Sequence, residues 1–223
     1  MNHIFRCYNP IEMKRIDWSL CLIADTGYLD KTNFIQTIEK SVKEGVTIVQ
    51  LRSKNTDTRA FLDTAFQLSA TLVPYGIPLI INDRTDIALA CKADGVHLGQ
   101  KDLPLPFARK IMGKNKIIGI TATNNKQAEE AESQGADYIG VGPVFDTGSK
   151  KEASKPIGLD QLEMIRKNIK IPILAIGGIN PQNAARVLSS GVNGIAVISA
   201  ILGSADVIAS TKNLLKEIRK GKN

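Results

Sequence analysis

Residues 172–199, PILAIGGINPQNAARVLSSGVNGIAVIS, carry one complete structural unit. The first run, Pro172–Gly178 (PILAIGG), and the last, Gly194–Ser199 (GIAVIS), are short and almost continuously apolar. Parallel strands covered on both faces have this signature. Between them, Asn180-Pro181 reads as the N-cap and first residue of a helix Pro181–Ser190. Gly191 stands where a helix C-terminus favours glycine. The stretch therefore predicts a strand, a helix and a second, parallel strand.

Working back toward the N-terminus, the same strand signature recurs at Leu20–Asp25 (LCLIAD), Ile48–Arg52 (IVQLR), Leu79–Asp83 (LIIND), Gly95–Gly99 (GVHLG), Ile117–Thr121 (IIGIT) and Tyr138–Gly142 (YIGVG). Helical patterns fall between most of them. In Thr32–Glu44 the apolar residues Phe34, Ile35, Ile38 and Val42 share a face, and in Arg59–Val73 Phe61, Leu62, Ala65, Leu68 and Leu72 do the same. Gly45, Gly76 and Gly135 precede strands just as Gly191 does. Eight alternating units predict a closed (β/α)8 TIM barrel, a single α/β domain over residues 1–223 with 1–19 as an N-terminal extension. A barrel of this kind fits in roughly 200 to 250 residues. The competing open, doubly wound sheet lacks support, because no GxGxxG follows the first strand. Trp18 and the segment before the first strand are expected to plug the bottom of the barrel.

With 43% hydrophobic and 23% charged residues, the chain can build a sizeable core. No apolar run reaches the length of a membrane span, and the N-terminus lacks the apolar stretch of a signal peptide, so a soluble, cytoplasmic protein is expected. The three cysteines, Cys7, Cys21 and Cys91, match no zinc spacing, and the latter two sit in apolar segments as buried thiols. The net charge of +7 is spread along the chain, with a cluster at Lys216, Arg219, Lys220 and Lys222. With only 5% aromatic residues there is little to stack nucleic-acid bases on. A solvated basic surface is the simpler reading, with neither nucleic acid nor membrane as a partner.

In such a barrel, chemistry sits where strands end. Gln50, Arg52 and Lys54 alternate along the exit of the second strand, and two cations on one face suit a diphosphate. Salt bridging around the barrel mouth is the alternative. Asn82 and Asp83 end the third strand, Gln100 and Asp102 follow the fourth, and Thr121 ends the fifth. Asp83 and Asp102 leave adjacent strands and are candidate Mg2+ ligands, since this ion takes one or two carboxylates plus phosphate oxygens and water. Their alternatives are pairing with Arg52, Lys54 or Arg84, or helix capping, which is the role expected of Asp86. A long polar loop after the sixth strand carries Thr147, Ser149 and Lys150, and a loop of this length can close over a substrate. Gly177-Gly178 and Ile198-Ser199 end the last two strands, where barrels of this type bind phosphate through close backbone approach. His97 lies inside a strand and reads as a hydrogen-bonded barrel residue.

The segments VQLRSK, LIINDR, DGVHLGQKDLP, IGIT, GADYIGVGPVFDTGSKK, ILAIGGI and VISAI, in this order, resemble the thiamine phosphate synthase family from about the first strand to the eighth. The resemblance implies a Mg2+-dependent transferase. It would join 4-amino-2-methyl-5-hydroxymethylpyrimidine diphosphate to a thiazole bearing an ethyl phosphate, releasing pyrophosphate. By motif position it implies Gln50 on the pyrimidine; Arg52, Lys54, Asn82, Thr121 and Lys150 on the diphosphate; and Asp83 and Asp102 on Mg2+. Thr147, Ser149, Gly178, Ile198 and Ser199 would surround the thiazole phosphate. Arg52, Lys54 and Lys150 are the implied catalytic cations. Three positions depart from the family pattern: Thr121 where Ser is common, Thr123 where His is common, and Ser149 where Thr is frequent.

Three rivals are set against this expectation. A thiazole tautomerase of the same barrel family would have no use for Lys54, Asp102 and Lys150. A sugar-phosphate epimerase draws on more histidines and carboxylates than this chain supplies. A non-catalytic thiamine- or thiazole-phosphate-binding regulator would leave the diphosphate set idle. The helix faces leave open whether the chain forms a homo-oligomer.

Overall fold

The computed structural model describes residues 16–29, 33–149 and 155–222. Its strands are β1 (Leu20–Asp25), β2 (Ile48–Arg52), β3 (Leu79–Asn82), β4 (Gly95–Leu98), β5 (Ile117–Ala122), β6 (Tyr138–Val141), β7 (Ile173–Ile176) and β8 (Gly194–Val197). They run parallel in sequence order, and β8 pairs back onto β1, so the sheet closes into a barrel. Nearly every strand residue is buried, because one side of each strand faces the barrel interior and the other the helices. The helices are α1 (Phe34–Lys43), α2 (Thr58–Leu72), α3 (Thr85–Ala90), α4 (Leu105–Met112), α5 (Asn125–Ser133), α6 (Gly158–Asn168), α7 (Ala184–Leu188), α8 (Ser199–Leu202) and α9 (Val207–Lys222).

The apolar stripes of the sequence become the buried helix faces. Phe34, Ile38 and Val42 of α1 and Phe61, Ala65, Leu68 and Leu72 of α2 pack inward. The Asp57 side chain caps α2 by accepting from the Ala60 N–H at 2.9 Å. Before α7 the chain first makes a turn at 181–183 and the regular helix begins only at Ala184, later than Pro181 predicts. Asn180 still caps that turn, accepting from the Gln182 N–H at 2.9 Å, while Asn183 occupies the helix N-cap. Asp86 is not a side-chain cap: Arg84 holds the N-cap position of α3, and Asp86 pairs with its guanidinium.

The barrel interior holds a polar stack. His97 is buried, with Nδ1 2.9 Å from the Tyr138 hydroxyl and Nε2 2.9 Å from Thr121 Oγ1. Space for the two rings comes from Gly119, where a Cβ would lie 2.1 Å from Tyr138 and 2.6 Å from His97. Trp18 packs against Tyr138 with ring centroids 4.9 Å apart and the rings tilted by 38°; the rest of the expected plug and of the N-terminal extension, residues 1–15, lies outside the described residues. Cys21 and Cys91 are buried thiols. Among the described residues no helix is long and apolar enough to cross a membrane. In the basic cluster of α9, Lys220 pairs with Glu217 and Lys222 reaches Ser19 Oγ at 2.8 Å.

Candidate active site

A cavity of about 250 Å3 opens at the C-terminal mouth of the barrel. Gln50, Arg52, Lys54, Asn82, Asp83, Asp102, Thr121, Thr147, Ser149, Gly178, Ile198 and Ser199 all line it. Residues far apart in sequence converge there because all eight strands point their C-terminal ends the same way. Lys150 lies outside the described residues.

One wall comes from β2, β3 and the β4–α4 loop. Gln50 and Arg52 share a strand face by the two-residue period, and Lys54 follows just beyond the strand. Lys54 Nζ lies 2.6 Å from Asp83 Oδ2, so the ion pair weighed as an alternative for Asp83 forms. Asp83 stands just past β3 with φ of 64°, a left-handed conformation that aspartate tolerates better than most residues. Its own N–H bonds the His97 carbonyl at 2.8 Å, fixing it against the β4 exit. Asp102 is held by the Gly99 N–H at 2.6 Å.

The proton affinities of the two carboxylates move in opposite directions. Burial pushes Asp83 up, but hydrogen bonds to Lys54 and Asp102 outweigh it and hold its carboxyl below the ordinary range. Burial, followed by the Asp83 carboxyl beside it, holds Asp102 above that range. The Asp83 hydrogen bond keeps the Lys54 ammonium charged, with its pKa raised. Two acidic groups crowded at one point are a donor set that a hard divalent cation would relieve of repulsion. Among the described residues no group of three or more His, Cys, Asp or Glu forms a complete protein cage. The pair thus fits an ion that takes its other ligands from substrate oxygens and water.

Among the described residues, the opposite wall is lined by glycine, hydroxyl and apolar groups. Gly178, in a left-handed conformation with φ of 64°, lies so close to the loop after β6 that a Cβ would sit 2.5 Å from the Asp146 carbonyl. Ser149 Oγ from that loop donates to Ser199 Oγ at 3.1 Å, bringing the β6 and β8 exits together. Ser199 is the first residue of the short α8 and not the end of a strand, as its sequence context suggests. Thr123 lines the cavity, but its hydroxyl donates to Gln127 Oε1 at 2.9 Å and belongs to the start of α5. Gln100 turns instead to the Thr121 carbonyl, 2.6 Å away.

Asp25 escapes the sequence reading. Its buried carboxylate, at the end of β1, forms an ion pair with the half-buried Arg52. The rule that selected the other strand-end residues would have selected it.

Fold and site together define a (β/α)8 barrel with a small-molecule pocket at its mouth, cationic and acidic on one side and lined by glycine and hydroxyls on the other. Residues 20–201 match the family described as thiamine monophosphate synthase, and the chain belongs to that family. It is therefore an enzyme, a transferase of the thiamine-phosphate synthase type. The thiamine-phosphate synthase of Clostridium novyi is 51% identical over 199 residues, covering 89% of this chain and 98% of that one. The thiamine-phosphate synthase of Syntrophomonas wolfei is 46% identical over 202 residues, 91% of this chain and 97% of its own. The solved structure of thiamine phosphate pyrophosphorylase from Pyrococcus furiosus superposes with a TM-score of 0.86 at 38% identity, covering 94% of this chain and all of that one.

Proposed function

We propose that the chain joins 4-amino-2-methyl-5-hydroxymethylpyrimidine diphosphate to 4-methyl-5-(2-phosphoethyl)thiazole, or its carboxylated tautomer, giving thiamine phosphate and pyrophosphate, with carbon dioxide also released from the carboxylated form. The observation that carries this reading is the division of the cavity. The β2–β4 wall gathers Arg52, Lys54 and two carboxylates, a set suited to a diphosphate with its cation. The far wall gathers Gly178 and the Ser149–Ser199 hydroxyls, suited to a monophosphate.

In this reading Gln50 and Asn82, both buried, orient the pyrimidine diphosphate. Arg52, Lys54 and Lys150 attract the diphosphate oxygens, and Thr121 adds a hydroxyl. The methylene carbon–oxygen bond breaks with its electrons leaving on pyrophosphate, and the electron-rich aminopyrimidine stabilises the cation left behind. The thiazole nitrogen lone pair then closes the new carbon–nitrogen bond. Such a reaction needs positive charge aimed at the leaving group and a fixed orientation of the two partners. No proton abstraction is required, consistent with a His97 already engaged by Tyr138 and Thr121. Asp83 and Asp102 would hold Mg2+, which when bound neutralises charge on the diphosphate.

The test is a coupling assay with both substrates and Mg2+, product being oxidised to fluorescent thiochrome. Product that requires both substrates and the metal supports the reading. Binding of thiazole phosphate without product would favour the tautomerase or the non-catalytic regulator.

A further inference from the structure

We infer that Asp25 is a positioning residue that sets the Arg52 guanidinium for the departing diphosphate; the inference rests on the reading of the site given above.

Asp25 and Arg52 are register partners on the neighbouring parallel strands β1 and β2, two residues beyond the Ile23–Gln50 pair. Ile23 and Gln50 both line the cavity, so the strand period brings Asp25 and Arg52 to the same face at its rim. Arg52 lines the cavity, whereas Asp25 does not. Both Asp25 oxygens are engaged: Oδ1 accepts the Gly27 N–H at 2.9 Å, and Oδ2 accepts from Arg52 Nη1. The side chains are 9% and 11% exposed, so this is a largely buried pair and not a solvated surface bridge. The next residues repeat the tie, since the Thr26 N–H donates to the Arg52 carbonyl at 2.9 Å and the Thr26 side-chain Oγ1 lies 2.8 Å from Ser53 Oγ.

A buried guanidinium without a counter-ion is costly, and an arginine stem left untied samples many rotamers. Asp25 removes both problems through one terminal nitrogen. The other N–H groups of the fork keep a fixed orientation for a phosphate oxygen. The carboxylate also carries negative charge close to an anion site. Its benefit therefore lies in orientation, which a misplaced cation forfeits at the moment the leaving group takes up charge.

The isosteric Asp25→Asn variant tests this in two arms. In the substrate-free protein, nitrogen-15 NMR of the arginine guanidinium groups reads rotation about the Arg52 Cζ–Nη bonds, with the Arg52→Lys variant supplying the assignment. Hindered rotation in the wild type that becomes averaged in Asp25→Asn is expected. Rotation equally free in both proteins would overturn the inference whatever the reaction is. In single-turnover coupling, Asp25→Asn should lower the rate by about ten-fold or more, while thiazole phosphate affinity stays within about two-fold. In an Arg52→Lys background the same change should cost less than about three-fold, because the partner it acts through is gone. Should Asp25→Asn fold poorly, Asp25→Glu, which keeps the charge, is expected to retain hindered Arg52 rotation and to exceed Asp25→Ala in rate. A loss of full size in the Arg52→Lys background would place the role elsewhere and overturn the inference. If the wild type itself makes no thiamine phosphate, the proposed function fails, and the NMR arm still decides whether Asp25 orients Arg52.

Discussion

Gly178→Ala should damage the protein through two separable effects. At φ of 64° an alanine sits in the left-handed region, and its Cβ would lie 2.5 Å from the Asp146 carbonyl and 2.7 Å from Phe145 Cβ. The first of these contacts is backbone, so relief requires moving the loop itself. Left-handed backbone costs a non-glycine residue about 1–2 kcal/mol, and overpacking about 1–3 kcal/mol, so a total loss of about 2–5 kcal/mol is expected. For a chain of this size that corresponds to a fall of about 5–15 °C in Tm. The displaced loop carries Thr147 and Ser149, and Phe145 N–H bonds the Gly177 carbonyl at 3.1 Å, so the β6 and β7 exits move together. Thiazole phosphate affinity should therefore fall by about ten-fold or more. Differential scanning fluorimetry reads the first effect and isothermal titration with thiazole phosphate the second. Gly148→Ala is the control, since a Cβ there meets nothing within 4 Å, and it should leave Tm unchanged. A Gly178→Ala protein with wild-type Tm and affinity would refute the crowding argument.

Other outcomes follow from the same geometry. Asp102→Ala should abolish Mg2+-dependent turnover while leaving thiazole phosphate binding near normal in calorimetry; equal loss of both in a folded variant would argue against the metal assignment. Asp102→Asn should raise the Tm of the metal-free protein at neutral pH. Because burial and Asp83 raise the folded-state pKa of Asp102, its contribution is intact at low pH and is lost as pH rises through that value. The gap between variant and wild type should therefore close as pH is lowered past the ordinary aspartate value of about 3.9, as thermal scans across pH would reveal. The Cys91 thiol, pushed up to about 11 by burial, should resist iodoacetamide at pH near 8 in the native protein and react in denaturant, as read by peptide mass mapping.

Much of this molecule is local in origin. Each parallel strand is flanked by helices and so must be apolar on both sides, which is why all eight could be found from short apolar runs to within a residue or two. The polar residues ending those runs had little choice of direction once the barrel closed, so Arg52, Lys54, Asp83, Asp102 and Ser199 were legible as a set. Helix starts were less so: the α7 boundary depends on a competition between a capped turn and a regular helix that Asn180 and Asn183 settle together.

What tertiary structure alone decided was pairing. A strand pattern states that His97 is inside; that it meets Tyr138 and Thr121 depends on a register across three strands and on the space left by Gly119. The charges of Asp83 and Lys54 are written in the chain, but their 2.6 Å contact, and the opposite shifts of Asp83 and Asp102, follow from distances set by neighbouring strands. Asp25 is the sharpest case, since β1–β2 register turned an aspartate at a strand end into the buried partner of Arg52. Sequence determines which groups are available and on which face of a strand they fall, because periodicity is a property of the local backbone. Partners, burial and proton affinity belong to the closed barrel, because they depend on atoms distant in sequence.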